Sequence, residues 1–176
     1  MIKLLPVSDS MELNDELKQI YEDSFPPDER REWLKISELI QNPSFTFYRI
    51  VDNVDLIGLI TVWNFNRFSL IEHFAIRQNL RGKSLGTKVL NHVITEICKP
   101  VIVEVEEPIN DTAQRRIAFY ERLGFVVCSG IYFQPPYSAE KNRVKMQLMS
   151  FPKRLSTSEF SEVKSLIYRV VYKVSE

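Results

Sequence analysis

Apolar and polar positions alternate along this chain in two rhythms. The stretches "IKLLPV", "SFTFYRIVDN", "DLIGLITVWNF", "FSLIEHFAI", "VIVEVEE", "FVVCSGIYF" and "RVKMQLMSF" carry the short, β-branched and aromatic pattern of strands. Asp52-Asn53 joins the second and third of these as a hairpin turn. Between them lie segments with apolar residues three and four apart. "SMELNDELKQIYEDSF" spaces Leu13, Leu17, Ile20 and Tyr21 as a helix. Pro27 and Asp28 start a second helix, with Trp33, Ile36, Leu39 and Ile40 on its apolar face. "LGTKVLNHVITEI" and "DTAQRRIAFYERLG" are two more, the latter stopped by Gly124. Residues 160, 163, 166, 167, 170, 171 and 174 form the stripe of a last helix, opened by the capping pattern Ser156-x-x-Glu159. The predicted order is β-α-α-β-β-β-α-β-α-β-β plus a C-terminal helix. It describes a mixed α/β domain over 1–151 and a helical extension over 152–176.

Composition changes this picture little. With 176 residues, 44% hydrophobic and 26% charged, a sizeable core is affordable in one domain. Twenty-three cationic side chains balance twenty-three anionic ones, which argues against a nucleic-acid binder. No run is long and apolar enough for a membrane span or a secretory leader, so a cytoplasmic protein is expected. Cys98 and Cys128 show no metal-ligand spacing; both read as buried thiols, and no metal is expected.

The candidate chemistry begins at "NLRGKSLGTKVL". Gly82-Lys83-Ser84 matches the end of a nucleotide-binding P-loop, but the required earlier glycine is Arg77. The loop still runs from a strand into a helix, whose open amides attract anions. It also contains Arg81-x-x-Ser84-x-Gly86, entered from Ala75-Ile76, while "FYERLGF" contains Tyr-x-x-x-Gly-Phe. These two motifs and the element order resemble the GNAT superfamily of N-acetyltransferases. Ser84 stands where that family usually has glycine, the residue that lets backbone approach a pyrophosphate.

The resemblance implies acetyl-CoA as donor and a primary amine of a small molecule or peptide as acceptor. It implies that the backbone at Phe74, Ala75 and Ile76 pairs with the pantetheine arm. The pyrophosphate would lie on the amides of Arg81, Gly82, Lys83, Ser84, Leu85, Gly86 and Thr87. Asn110, before the next helix, would add a CoA contact. Tyr120 is the implied acid for the leaving thiolate, its hydroxyl being a donor at neutral pH. Glu72 reads as a general base, directly or through water, or as a solvated or salt-bridged strand carboxylate. His73 is its rival, facing the other way along the strand, where a core histidine fits as well. The acceptor pocket would draw on "FPPDERR" and the late Pro-rich connection. That gives Phe25, Glu29, Arg30, Tyr132, Gln134 and Tyr137, with Glu104 attracting a cationic amine. A non-catalytic acyl-CoA-binding module is the alternative. The stripe of the last helix packs on the sheet or makes a homodimer.

Overall fold

The computed structural model describes residues 1–175. The chain divides into two compact units, Met1–Lys99 and Pro100–Glu176. In the first, β1 (Ile2–Pro6), β2 (Phe45–Asp52), β3 (Asp55–Asn64) and β4 (Ser69–Ile76) form an antiparallel meander in chain order. Asn53 turns the β2–β3 hairpin with φ 56°, a left-handed conformation that asparagine tolerates. Helix α1 (Asp15–Ser24) is capped by Asn14 and packs on β3 and β4 through Leu17, Ile20 and Tyr21. Helix α3 (Leu85–Ile97) lies on β4 with Val89, Leu90 and Val93 buried.

Two expectations for this unit need correction. Pro27 and Asp28 open only a 3-10 turn, Pro27–Glu29, and α2 starts at Trp33 and runs to Leu39. Arg30 is extended, and the amide of Arg31 donates to the Tyr21 hydroxyl at 2.8 Å, a contact ten residues back that holds this stretch out of the helix. Cys98 is exposed rather than buried: it ends α3 in a left-handed conformation, φ 52°.

In the second unit, β8 (Val144–Phe151) is central. It pairs antiparallel with β5 (Val101–Glu106) and with two short strands, β6 (Val126–Val127) and β7 (Tyr132–Gln134). The single strand expected over 125–133 is therefore two, interrupted around Gly130. Helix α4 (Asp111–Arg122) packs on β5 through Ala113, Ile117 and Tyr120. Helix α5 (Thr157–Ile167) carries the predicted box, Ser156 and Glu159 capping each other's amides. It continues into a π-helical turn, Tyr168–Tyr172, that stops at Lys173 with φ 58°.

The stripe of this tail is covered in part, with Leu166, Val170 and Val174 half-buried. Phe160, Val163, Ile167 and Val171 are buried. The Phe160 ring lies so close to Gly130 that a Cβ there would sit 2.5 Å from it. Among the described residues no helix is long and apolar enough to cross a membrane. Phe160→Ala is expected to cost about 3 kcal/mol, as for other buried Phe→Ala changes. Urea denaturation should show a lower midpoint with an unchanged slope; an unchanged midpoint would mean that the tail does not share the fold's cooperativity.

Candidate active site

The loop between β4 and α3 follows from its backbone. Gly82 has φ 80° and Ser84 φ 58°, both left-handed. For a serine that conformation costs about 1 kcal/mol, strain of the sort found at ligand-binding loops. Ser84 is the N-cap of α3, yet its side chain caps no amide, and the first helical bond is from Lys88 to the Ser84 carbonyl. The amides of residues 82–84 donate to no backbone carbonyl among the described residues. Residues 81–84 are exposed. A row of open amides at a helix start, with Lys83 beside it, suits an anionic group. The Arg81 side chain works differently: its Nε donates to the Ile76 carbonyl at 2.9 Å and its guanidinium reaches Ser24 Oγ at 3.1 Å. It ties the loop to the ends of β4 and α1.

Backbone bonds from β4 to β3 alternate, and the Arg77 amide donates to the Ile57 carbonyl. Phe74 and Ile76 thus direct their amides and carbonyls away from β3, while Ala75 faces Leu59 across the ladder.

Glu72 is held fast. Its Oε1 accepts from Arg31 Nε at 2.9 Å and from the other arm of that guanidinium at 2.8 Å. Its Oε2 accepts from Trp63 Nε1 at 2.7 Å, and its side chain is 0% exposed. Burial alone would raise its pKa. The guanidinium of Arg31, His73 and the Trp63 indole outweigh that and hold it below the ordinary carboxylate value. His73, 2% exposed, bridges the Thr61 hydroxyl at 3.3 Å and the Glu29 carbonyl at 3.1 Å. That carbonyl can only accept, which puts a proton on His73 Nε2. The rings of Tyr21 and Phe25 pack edgewise on the imidazole. Arg30 donates to the carbonyls of Glu22 and Phe25, at the end of α1, where a cation suits the helix dipole. Phe25, Glu29 and Arg30 are therefore gathered with Tyr21, Arg31 and His73 into one part-buried network. Arg31 and Trp63 were not singled out in the sequence, because nothing in their spacing marks them, and Tyr21 read only as part of a helix's apolar face.

In the second unit, Asn110 caps α4, its side chain accepting from the Ala113 amide at 2.9 Å. Tyr120 ends the buried face of that helix, and its carbonyl accepts the amides of Leu123 and Phe125. Its hydroxyl makes no hydrogen bond among the described residues. Burial pushes its pKa up to about 12, against a smaller pull from Arg116, so it stays protonated at neutral pH. Arg116 itself pairs with Glu106 at 2.6 Å.

Glu104 stands at the centre of a tyrosine cluster. Its Oε1 accepts from the Tyr132 hydroxyl, and the Tyr172 hydroxyl lies 2.9 Å from both carboxylate oxygens. Tyr137 reaches Tyr172 at 3.4 Å between hydroxyls. Gln134 is buried on the same strand as Tyr132. Burial, then the charge of Glu104, raises the pKa of Tyr132 well above its usual value, so that hydroxyl is a donor. Tyr168 and Tyr172 were missed in the sequence, where the tail reads as an apolar stripe; two tyrosines four apart on its last turn were the available signal. Among the described residues no group of three or more His, Cys, Asp or Glu could hold a metal ion.

Comparison with known proteins identifies the family. The family model "Acetyltransferase (GNAT) family" matches residues 11–125. The chain belongs to the GNAT acetyltransferase family. It is an acyltransferase by family, with the mixed α/β fold and mostly antiparallel sheet of that family. Among solved structures it is similar to a protein described as a GNAT-family acetyltransferase from Bacteroides thetaiotaomicron: 30% identity, TM-score 0.91, 98% of this chain and 99% of that one. A ribosomal-protein alanine N-acetyltransferase from Escherichia coli matches at 19% identity and TM-score 0.63, covering 89% and 96%. A GNAT acetyltransferase from Elizabethkingia anophelis with acetyl-CoA bound matches at 15% and 0.58, covering 85% and 96%. None of the curated proteins matches the chain in sequence.

The Arg31–Glu72 pair gives a test of this acetyltransferase's site. Breaking a buried pair leaves an uncompensated charge, so Glu72→Gln should cost about 3 kcal/mol, roughly 6–12 °C in thermal midpoint. A carboxylate with a depressed folded pKa stabilises above the ordinary value of 4.5 and loses that contribution as pH falls below it. The midpoints of wild type and Glu72→Gln should therefore converge on acidification below about pH 4.5. A constant gap across pH would refute the pairing.

Proposed function

We propose that this acetyltransferase moves an acetyl group from acetyl-CoA directly to a primary amine. The observation that carries the reading is the strained, uncapped start of α3, whose exposed amides fit a pyrophosphate. Bound there, acetyl-CoA supplies the activated thioester. The amides from Gly82 to Thr87 hold its phosphates, Lys83 adds charge, and the outward backbone of Phe74 and Ile76 receives the pantetheine arm as a strand would. Ser84 replaces the usual glycine at the cost of strain, while keeping the same left-handed turn.

The remaining demands fall on side chains. An alkyl ammonium, pKa near ~10.4, must lose a proton before it attacks, and the thiolate, pKa near ~8.5, leaves more readily when protonated. Tyr120 is the proton donor for the thiolate: its hydroxyl stays protonated at neutral pH. For the acceptor we favour Glu104 over Glu72. Glu72 is sealed by a guanidinium, with its side chain 0% exposed, which makes it an anchor for the loop that carries Glu29 and Arg30. Glu104 is half-buried, and its carboxylate is oriented by hydroxyls. It draws in the ammonium and takes up its proton. Both the small-molecule and the peptide amine remain within this chemistry.

Initial rates with acetyl-CoA and a panel of an N-terminal alanine peptide, a lysine ester and an aminoglycoside test the proposal. Turnover of at least one amine is expected. Tyr120→Phe should then lower kcat by about 100-fold, with no loss of thermal stability, as for removal of a general acid. An unchanged kcat would remove Tyr120 from the reaction.

A further inference from the structure

The C-terminal tail carries more than its apolar stripe requires. Burying that stripe needs Phe160, Val163, Ile167 and Val171. It does not need a phenol aimed at a carboxylate. Yet the tail ends in a π turn, a rare feature often found at functional sites, and both of that turn's tyrosines are engaged with polar partners. Tyr168 donates to the Phe133 carbonyl at 2.6 Å, and its ring packs on Tyr132 at 5.7 Å. This pins the turn to β7. Tyr172, one turn on and 8% exposed, sets its hydroxyl 2.9 Å from each oxygen of Glu104.

The directions of these bonds follow from proton count. A carboxylate accepts only, so the single proton of Tyr172 points to Glu104 and is shared between the two oxygens. Tyr137 then donates to Tyr172, and Tyr132 donates to Glu104 from β7. The chain Tyr137→Tyr172→Glu104←Tyr132 fixes the plane of the carboxylate from two elements at once. Each phenol donates to the carboxylate, which orients its oxygens and stabilises its charge.

We propose that Tyr172 is a positioning residue for the acceptor: the C-terminal segment completes the amine site by holding Glu104 in the orientation that receives a cationic primary amine. This rests on Glu104 being the acceptor carboxylate. The tail is thus part of the specificity of the enzyme as well as of its stability. A side chain that acts through another loses its effect when that other is removed, and this separates positioning from packing.

The test is a double-mutant cycle on the full chain, with an N-terminal alanine peptide as probe amine and acetyl-CoA saturating. Tyr172→Phe keeps the ring and its packing and removes only the hydroxyl. Expected are a five- to tenfold rise in KM for the peptide, an unchanged KM for acetyl-CoA and an unchanged thermal midpoint. In a Glu104→Gln background the same substitution should change the peptide KM by less than twofold. Equal losses in both backgrounds would make Tyr172 a packing residue and overturn the proposal. A raised peptide KM in Glu104→Gln with none in Tyr172→Phe would overturn it too, leaving Glu104 as the acceptor carboxylate. An unchanged peptide KM in Glu104→Gln would instead overturn the reading of Glu104, and this proposal with it.

Discussion

The amides at the start of α3, which donate to no backbone carbonyl among the described residues, are the constraint around which the first unit is arranged. Four amides open every helix without an internal partner, and most helices cover them with a side chain. Here Ser84 could cap its own helix and does not, because the left-handed turn at φ 58° commits its backbone to another shape. That shape is held from below. Arg81 folds back on the Ile76 carbonyl and on Ser24, so the side chain that looks like a phosphate ligand is instead the brace of the loop. The loop is accordingly rigid at its base and exposed at its crest, the form a preorganised anion site needs.

Three carboxylates on strands show how environment separates roles. Glu72 is buried against a guanidinium and an indole, Glu106 pairs with Arg116, and Glu104 meets phenols. A carboxylate facing a guanidinium is locked and holds structure; one facing hydroxyls is oriented by them. The same residue type on a strand is therefore a clamp in one setting, and in another the group proposed for the acceptor.

Much of the fold was legible in the sequence. The bounds of the helix over 85–97, the hairpin at Asp52-Asn53 and the box at Ser156 and Glu159 rest on local rules of periodicity, turn chemistry and capping, and local rules suffice there. The reading weakened where contacts far apart in sequence decide. Pro27-Asp28 signals a helix start, but Tyr21 takes the amide of Arg31 and holds that segment extended. The strand over 125–133 is broken where Gly130 makes room for Phe160, thirty residues away. In the site, Glu72 stood out as a carboxylate on an otherwise apolar strand face, but its partner Arg31 lies forty-one residues away and no spacing announces it. Tyr172 was hidden for the same reason, its partner lying sixty-eight residues earlier.

The account stands or falls on which phosphate the α3 loop accepts. Calorimetric titration of the protein with acetyl-CoA, and separately with ATP, tests this most directly. Dissociation constants in the micromolar range for acetyl-CoA, about −8 kcal/mol, with no measurable heat from ATP, are predicted. Binding of ATP with none of acetyl-CoA would contradict the account and make the Gly82-Lys83-Ser84 triplet a nucleotide loop.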